Sequence, residues 1–150
     1  MEALSKIDYE DTFFVNCPAG ISSTDILLGF SNASPKIVKI LMAFRNGVVS
    51  LVGLKTGRNA SLLDASNIKT GNRFGVFEIG SITPQSAVIG ADDSHLDFRV
   101  FLDLGGGMLS CKTQVKFNNA LGRVYFFFVK PFHRMIVPLM LKASIQLVRP

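Results

Sequence analysis

From residue 73 to residue 117 the chain alternates apolar and polar positions with a period of two, which is typical of half-buried strands. Turn-forming residues interrupt this alternation at 83–85, 91–94 and 105–107. Because consecutive strands with short connections pair side by side, the pattern predicts an antiparallel meander. The predicted strands are Phe74–Ser81, Ser86–Gly90, His95–Asp103 and Met108–Phe117.

The last two predicted strands indicate which side of the sheet faces the core, since successive side chains point to opposite faces. The inward set is apolar apart from one threonine and comprises Leu96, Phe98, Val100, Leu102, Leu109, Cys111, Thr113, Val115 and Phe117. The outward set on the first of these strands carries the charges and comprises His95, Asp97, Arg99 and Asp103.

Helix signals follow a short predicted strand, Thr12–Val15, in the first half of the chain. Ser22–Asp25 supplies N-cap residues for one short helix, and Ser34 followed by Pro35 predicts the start of a second. The predicted class is therefore α+β, with two shorter helices after the first strand, then the sheet, then a long C-terminal helix.

The last thirty residues, 121–150, combine the apolar content of a membrane span with charges that oppose insertion. A span needs about 20 largely apolar residues. Lys130 and Arg134 interrupt this segment, and each costs about 2.5–3.5 kcal/mol near the middle of a span. At about 100° per residue, the apolar positions form one wide stripe and most charged positions lie on the other side. We therefore predict a long amphipathic helix against the sheet and no membrane span.

Composition narrows the chain to one globular domain covering residues 1–150. It contains 48 % apolar residues and carries a net charge of +5, which is too apolar for a disordered segment. The basic residues are dispersed without a nucleic-acid motif, so no nucleic-acid partner is expected. The N-terminus lacks the features of a signal peptide, which predicts a cytoplasmic protein with Cys17 and Cys111 as reduced thiols. Two cysteines so far apart form no metal motif, and we expect neither metal nor cofactor.

The densest group of polar residues is Asp92–Arg99, with the sequence DDSHLDFR. Asp, His and Asp this close together can hold a metal ion or act as an acid–base pair. Alternation puts His95, Asp97 and Arg99 on the outward face, where a solvated ladder of ion pairs is the simpler interpretation. A polar site at the mouth of a pocket and a metal site are the two alternatives.

Several runs of residues together resemble a known family: GLKTG at 53–57, GNRFGVF at 71–77, GADDSHLDFR at 90–99, LGRVYF at 121–126 and PFHRMIVP at 131–138. Over nearly its whole length the chain resembles a family of small uncharacterised bacterial proteins, known as a domain of unknown function. That family is placed in the START-like superfamily, also called SRPBCC or Bet v 1-like. The resemblance implies a single START-like domain with a helix-grip fold, in which a curved antiparallel β-sheet wraps around a long C-terminal α-helix. It also implies an apolar ligand between sheet and helix, and it transfers no activity.

Two classes of function fit this fold. The first is a carrier or sensor that binds a hydrophobic small molecule, and the second is a cyclase or dehydratase-type enzyme that uses His95, His133 or a pocket carboxylate. An enzyme needs a titratable group beside its ligand, so the outward placement of His95 and Asp97 favours the carrier. A structural role, such as a homodimer formed through a sheet edge, is a third hypothesis.

The predicted ligand site lies between the strands and the C-terminal helix, with an acidic group of the ligand near Arg123 or His133. Its predicted binding residues are Phe98, Val100, Val115, Phe117, Arg123, Phe132, His133, Ile136 and Met140. No catalytic residue is assigned.

Overall fold

The computed structural model of the chain describes residues 1–32, 43, 68–74 and 77–148. The elements within these ranges are β1 Tyr9–Asn16, α1 Ser23–Asn32, β2 Arg73–Phe74, β3 Phe77–Ile82, β4 Ser86–Asp92, β5 Leu96–Gly105, β6 Met108–Phe117 and α2 Ala120–Val148. The predicted α+β class, with an antiparallel sheet and a long C-terminal helix, is confirmed, and this order of elements is consistent with a helix-grip fold. The second short helix, predicted to begin at Ser34, lies outside the described residues.

The six strands form one antiparallel sheet in the order β1-β6-β5-β4-β3-β2. Strands β3 to β6 follow one another as the predicted meander, and β1 joins the sheet beside β6. Gly106 and Gly107, with φ of 60° and 77°, reverse the chain between β5 and β6. The prediction of one strand over Phe74–Ser81 is wrong, because Phe74 pairs with Phe77 as part of a hairpin.

The long helix α2 continues for 29 residues through both of its prolines, Pro131 and Pro138. Helix α1 packs against it at Gly29, where a Cβ atom would lie 2.6 Å from the carbonyl oxygen of Ser144. Glycine permits this approach because any side chain there would push the two helices apart. The buried hydroxyl of Ser144 donates to the carbonyl oxygen of Met140, 2.7 Å away. The C-terminal half of α2 is thus held against α1, while α2 also contacts β1 and β6.

Among the described residues, two apolar clusters lie at different points along α2. The larger cluster joins the sheet to α1 and to the C-terminal part of α2, and its members include Val15, Ile26, Leu27, Ile79, Ile89, Leu102, Leu109, Cys111, Leu141 and Ile145. The smaller cluster joins the sheet to the N-terminal part of α2 and centres on Leu96, Val115 and Phe126. The alternation in β5 and β6 predicted the inward residues of both clusters correctly.

The prediction that the charged face of β5 is solvated is wrong for Arg99, whose side chain is only 4 % exposed. Its Nε donates to the carbonyl oxygen of Glu2 at 2.9 Å, and its Nη1 donates to Asp92 Oδ1 at 2.6 Å. The side chain of Met1 packs nearby, against Gly80 and Gly90. The first residues of the chain therefore cover this part of the outer face. Alternation within a strand carries no information about such a distant segment.

His95 is likewise buried, which corrects its predicted outward placement. It precedes β5 and belongs to the turn after β4, so the two-residue alternation of the strand does not extend to it. Its ring meets the ring of Tyr125 on α2 edge to face, with centroids 5.3 Å apart. Its Nδ1 lies 3.5 Å from Asp93 Oδ2, which is too long for a hydrogen bond. His95 therefore packs beneath the first turns of α2.

Candidate functional site

A group of polar side chains lies between the sheet and α2, and we call Tyr9, Asp11 and His133 the inner polar cluster. Strand β1 supplies the first two, because its alternation brings Tyr9, Asp11 and Phe13 to the face that packs on α2. Helix α2 supplies His133 from the opposite side. Asp11 also pairs in register with Thr113 of β6, whose side chain is buried.

Polar contacts join two members of the inner polar cluster, Tyr9 and His133, to the carboxylate of the third, Asp11. The Tyr9 hydroxyl donates to Asp11 Oδ2 over 2.6 Å. The Nε2 atom of His133 lies 3.2 Å from Oδ2 and 3.3 Å from Oδ1 of Asp11. The Asp11 and His133 side chains are 13 % and 17 % exposed, so the pair is largely but not fully removed from water. In such a partly dry position the pair interacts more strongly than it would on the surface.

The protonation states within the cluster follow from these contacts. Burial alone would raise the pKa of the Asp11 carboxyl, but the hydrogen bonds from His133 and Tyr9 outweigh it and hold that pKa below its usual value. Burial, reinforced by the negative charge of Asp11, raises the pKa of the Tyr9 phenol above its usual range. At neutral pH Asp11 is therefore a carboxylate and Tyr9 a neutral donor. An ionised Asp11 can only accept, so Nε2 of His133 carries a hydrogen.

Aromatic rings enclose the inner polar cluster. The ring of Tyr9 lies 4.7 Å from that of Phe126, and the ring of Phe13 lies 6.3 Å from that of His133. The Nζ atom of Lys130 lies 5.0 Å from the centre of the Tyr9 ring, within range of a cation–π contact. The arrangement combines a fixed histidine with apolar walls, which suits the binding of an apolar molecule with one polar group.

The structure places the predicted ligand-binding residues at different depths. Val115, Phe98 and Phe117 lie in or against the smaller apolar cluster, and Val100 packs against the larger one. On α2, Ile136 and Met140 are buried and His133 is half-buried in the inner polar cluster, whereas Arg123 and Phe132 are exposed. The predicted sheet residues and His133 thus lie in the layer between the sheet and α2, whereas Arg123 and Phe132 lie on the exposed surface of α2.

Arg123 instead borders a shallow recess at the start of α2. The recess has a volume of about 180 Å³ and is lined by Phe117, Asn118, Asn119, Ala120 and Arg123. The side chain of Asn119 caps the helix there by accepting from the N–H of Gly122 at 3.0 Å. The recess is open to solvent and polar, which distinguishes it from the predicted apolar site.

Sequence analysis missed Tyr9 and Asp11 as members of the site. The predicted strand begins at Thr12, whereas β1 begins at Tyr9. The signal that was available is the alternation of Tyr9, Asp11, Phe13 and Val15, which continues the strand backwards by three residues. Within the described part of the chain, no group of three or more His, Cys, Asp or Glu residues is placed to hold a metal ion.

Comparison with known proteins places the chain in a family. A family model described as a protein of unknown function, DUF2867, matches residues 3–140. A search of curated proteins and a search of solved structures found no match. The matched residues include the whole sheet and the three residues of the inner polar cluster. The chain belongs to the DUF2867 family of proteins of unknown function.

Proposed function

We propose that this chain is a START-like, helix-grip protein that binds a small hydrophobic molecule between the sheet and α2. The inner polar cluster is the polar contact for that molecule, and the apolar side chains around it, among them Val115, Phe117 and Ile136, form the walls. The observation that carries the proposal is the Asp11 carboxyl group, which contacts both His133 and Tyr9 in a largely apolar layer and is only 13 % exposed.

The position of the Asp11 carboxylate among apolar side chains has an energetic cost. Removing a carboxylate from water costs free energy, and apolar residues of similar volume in the same place would often give a more stable protein. A ligand site is a physical reason for keeping such groups, because ligand pockets combine apolar walls with a few fixed polar atoms. Because the Asp11 carboxylate already accepts from Tyr9 and His133, a hydroxyl or carbonyl group of the ligand is one candidate for the position beside His133. The acidic ligand group expected from the sequence stays a prediction.

A second candidate function rests on the pairing of Asp11 with His133. Because Nε2 is held by the carboxylate, Nδ1 is the ring nitrogen that can accept a proton, as in a carboxylate-oriented general base. The sequence favoured a carrier because His95 and Asp97 were predicted to face outward, whereas the enzyme hypothesis needs a titratable group beside the ligand. The pair of Asp11 and His133 is a candidate for that group. The alternative is therefore a cyclase or dehydratase-type enzyme with His133 as its base.

A thermal-shift screen with fatty acids, sterols, flavonoids and polyketides tests the binding proposal. A ligand at about 100 times its dissociation constant stabilises the folded state by about 2.7 kcal/mol, which is about 5–11 °C for a chain of this length. We expect Asp11→Asn and His133→Gln to reduce the shift. Glu10→Gln, which changes the neighbouring outward carboxylate of β1, is the matched control and should retain it.

The same screen separates the two candidate functions. Each hit is incubated with the protein and its mass and structure are compared before and after. A hit that is chemically changed by the native protein, but only bound by the His133→Gln variant, would establish the enzyme. Hits that are recovered unchanged support the carrier. If no compound shifts the melting temperature and native mass spectrometry finds no co-purified molecule, both candidate functions are wrong.

A further inference from the structure

Helix α2 carries a second apolar surface on the side turned away from the sheet. Its exposed large apolar side chains are Val124, Phe127, Phe128, Phe132, Met135, Leu139 and Leu147. Phe127 is 74 % exposed and Met135 is 58 % exposed. Single exposed apolar residues are normal on a protein surface, but a row of them along one helix marks an interaction site. We call Val124, Phe127, Phe128, Met135 and Leu139 the outer apolar stripe.

By length and composition α2 would also pass as a membrane span. The most apolar 18-residue window within it has a mean hydropathy of 1.3, and 22 % of that window is buried in the protein. The core helix of a soluble protein can reach the same hydropathy, but such a helix is mostly buried. The buried fraction of α2 is low because its outer side is exposed, and the exposure of so many apolar side chains on that side needs a separate explanation.

Charge along α2 has one sign. The helix contains four Lys and Arg residues, Arg123, Lys130, Arg134 and Lys142, and no Asp or Glu. All four are exposed. At about 100° per residue, Arg123, Lys130 and Arg134 fall on one flank of the outer apolar stripe, because they are spaced seven and four residues apart. Lys142 lies in line with the stripe at its C-terminal end.

We propose that the outer apolar stripe of α2 docks on the surface of an anionic lipid bilayer, with the helix lying in the plane of the interface. Aromatic and aliphatic side chains flanked by cations are the pattern of an interfacial helix, whose apolar side enters the acyl boundary while its basic side chains meet anionic headgroups. The opposite side of α2 stays packed on the sheet and α1, so docking requires no unfolding.

The charge pattern favours a bilayer over a second copy of the chain. In a symmetric dimer joined through the outer apolar stripe, the stripe of one copy would pack against the same stripe of the other copy. Two helices with four cations each and no acidic residue would then approach with like charges along the contact. A bilayer containing anionic lipids carries negative headgroups that attract the basic residues beside the outer apolar stripe, and its acyl chains can bury the apolar side chains of the stripe.

Flotation with lipid vesicles tests the proposal on the intact chain. We expect the protein to float with vesicles of phosphatidylcholine and phosphatidylglycerol, and much less with vesicles of phosphatidylcholine alone. Raising the salt concentration should weaken binding, because exposed charges are screened. Alkaline carbonate should release the bound protein, since a helix lying on the surface does not span the bilayer.

Two double variants separate the apolar contribution to vesicle binding from the cationic contribution. Phe127→Ser with Met135→Ser removes two exposed members of the stripe, and we expect binding to fall at least tenfold. Lys130→Gln with Arg134→Gln should reduce binding to the anionic vesicles about 25-fold, since each basic side chain near such a surface contributes about fivefold. The matched controls are Phe14→Ser on the outer face of β1 and Lys69→Gln with Arg73→Gln, which should bind normally.

Four results would overturn the proposal. The first is equal and negligible flotation with both kinds of vesicle. The second is binding that is unchanged in the Phe127→Ser, Met135→Ser variant. The third is a stable dimer in light scattering that the same variant converts to a monomer, which would assign the stripe to a second copy. Retention in the membrane after carbonate treatment would also contradict it, since α2 would then be inserted.

Discussion

Gly122, in the first turn of α2, packs directly on the backbone carbonyl oxygen of His95, and a Cβ atom at residue 122 would overlap that oxygen. The N–H of Asn118 also donates to this oxygen, at 3.0 Å. The turn after β4, the end of β6 and the start of α2 therefore meet at one carbonyl group. This contact fixes where α2 begins and hence where it lies across the sheet.

Replacing Gly122 with alanine should destabilise the protein by about 1–3 kcal/mol, the usual cost of inserting a methyl group into a packed contact. The clash is with backbone, which cannot rotate away as a side chain can. Gly105→Ala is the control, because a Cβ atom at Gly105 would meet no atom within 4 Å. Urea denaturation of both variants measures the difference, and equal stability of the two would show that the contact does not constrain α2.

Asp11 should make the stability of the protein depend on pH. Its hydrogen bonds hold its pKa in the folded state below the ordinary value of 3.8. A group with a lowered pKa stabilises the folded state above its unfolded pKa, and this contribution is lost as the pH falls through the folded pKa. Asp11→Asn should therefore lose less stability than the native protein when the pH is lowered from about 6 to below about 4.

Urea denaturation at the two pH values measures this difference. Asp8 also has a lowered pKa, through its contacts with Lys6 and Phe117, but it is present in both proteins and cancels from the comparison. Glu10→Gln should behave like the native protein. An Asp11→Asn variant with the full acid sensitivity of the native protein would mean that the carboxylate is not stabilised in the folded state.

Cys111 should be unreactive in the folded protein. It lies on the inward face of β6 at 2 % exposure, and burial raises the pKa of its thiol to about 12, with a further contribution from the negative charge of Asp11. Since the thiolate is the reactive form, a thiol reagent at about pH 8 should label it slowly. The experiment uses a Cys17→Ser variant, so that Cys111 is the one thiol measured. Labelling should become fast in denaturant, and fast labelling of the folded protein would place Cys111 outside the core.

The features that sequence predicted are those set by local periodicity. Alternation in β5 and β6 predicted which side chains face the core, and the apolar stripe after residue 121 predicted α2. Both patterns can be recognised because they involve residues only a few positions apart. The inner polar cluster joins Asp11 to His133 across 122 positions, so no window of sequence contains both. Likewise, alternation correctly predicted that Arg99 lies on the outer face of the sheet, but the burial of its side chain depends on the distant residues Met1 and Glu2.

Arg99 therefore provides the sharpest test of how the first residues pack. Its guanidinium bonds to the carbonyl oxygens of Glu2 and Phe98 and to the Asp92 carboxylate. Arg99→Ala should cost about 2–4 kcal/mol, because it removes charge-assisted hydrogen bonds and leaves a cavity.

The control for Arg99→Ala is Arg73→Ala, which breaks an arginine–carboxylate pair of the same length. Arg73 lies 2.6 Å from Glu78 and Arg99 lies 2.6 Å from Asp92, but the side chain of Arg73 is 57 % exposed. Solvent screens the exposed pair, so Arg73→Ala should cost about 0–1 kcal/mol. Urea denaturation compares the two, and hydrogen exchange should show the N-terminal residues losing protection in the Arg99 variant alone. Equal, small losses of stability would mean that residues 1–8 do not cover the outer face in solution, and that the charges of β5 are solvated as their alternation predicted.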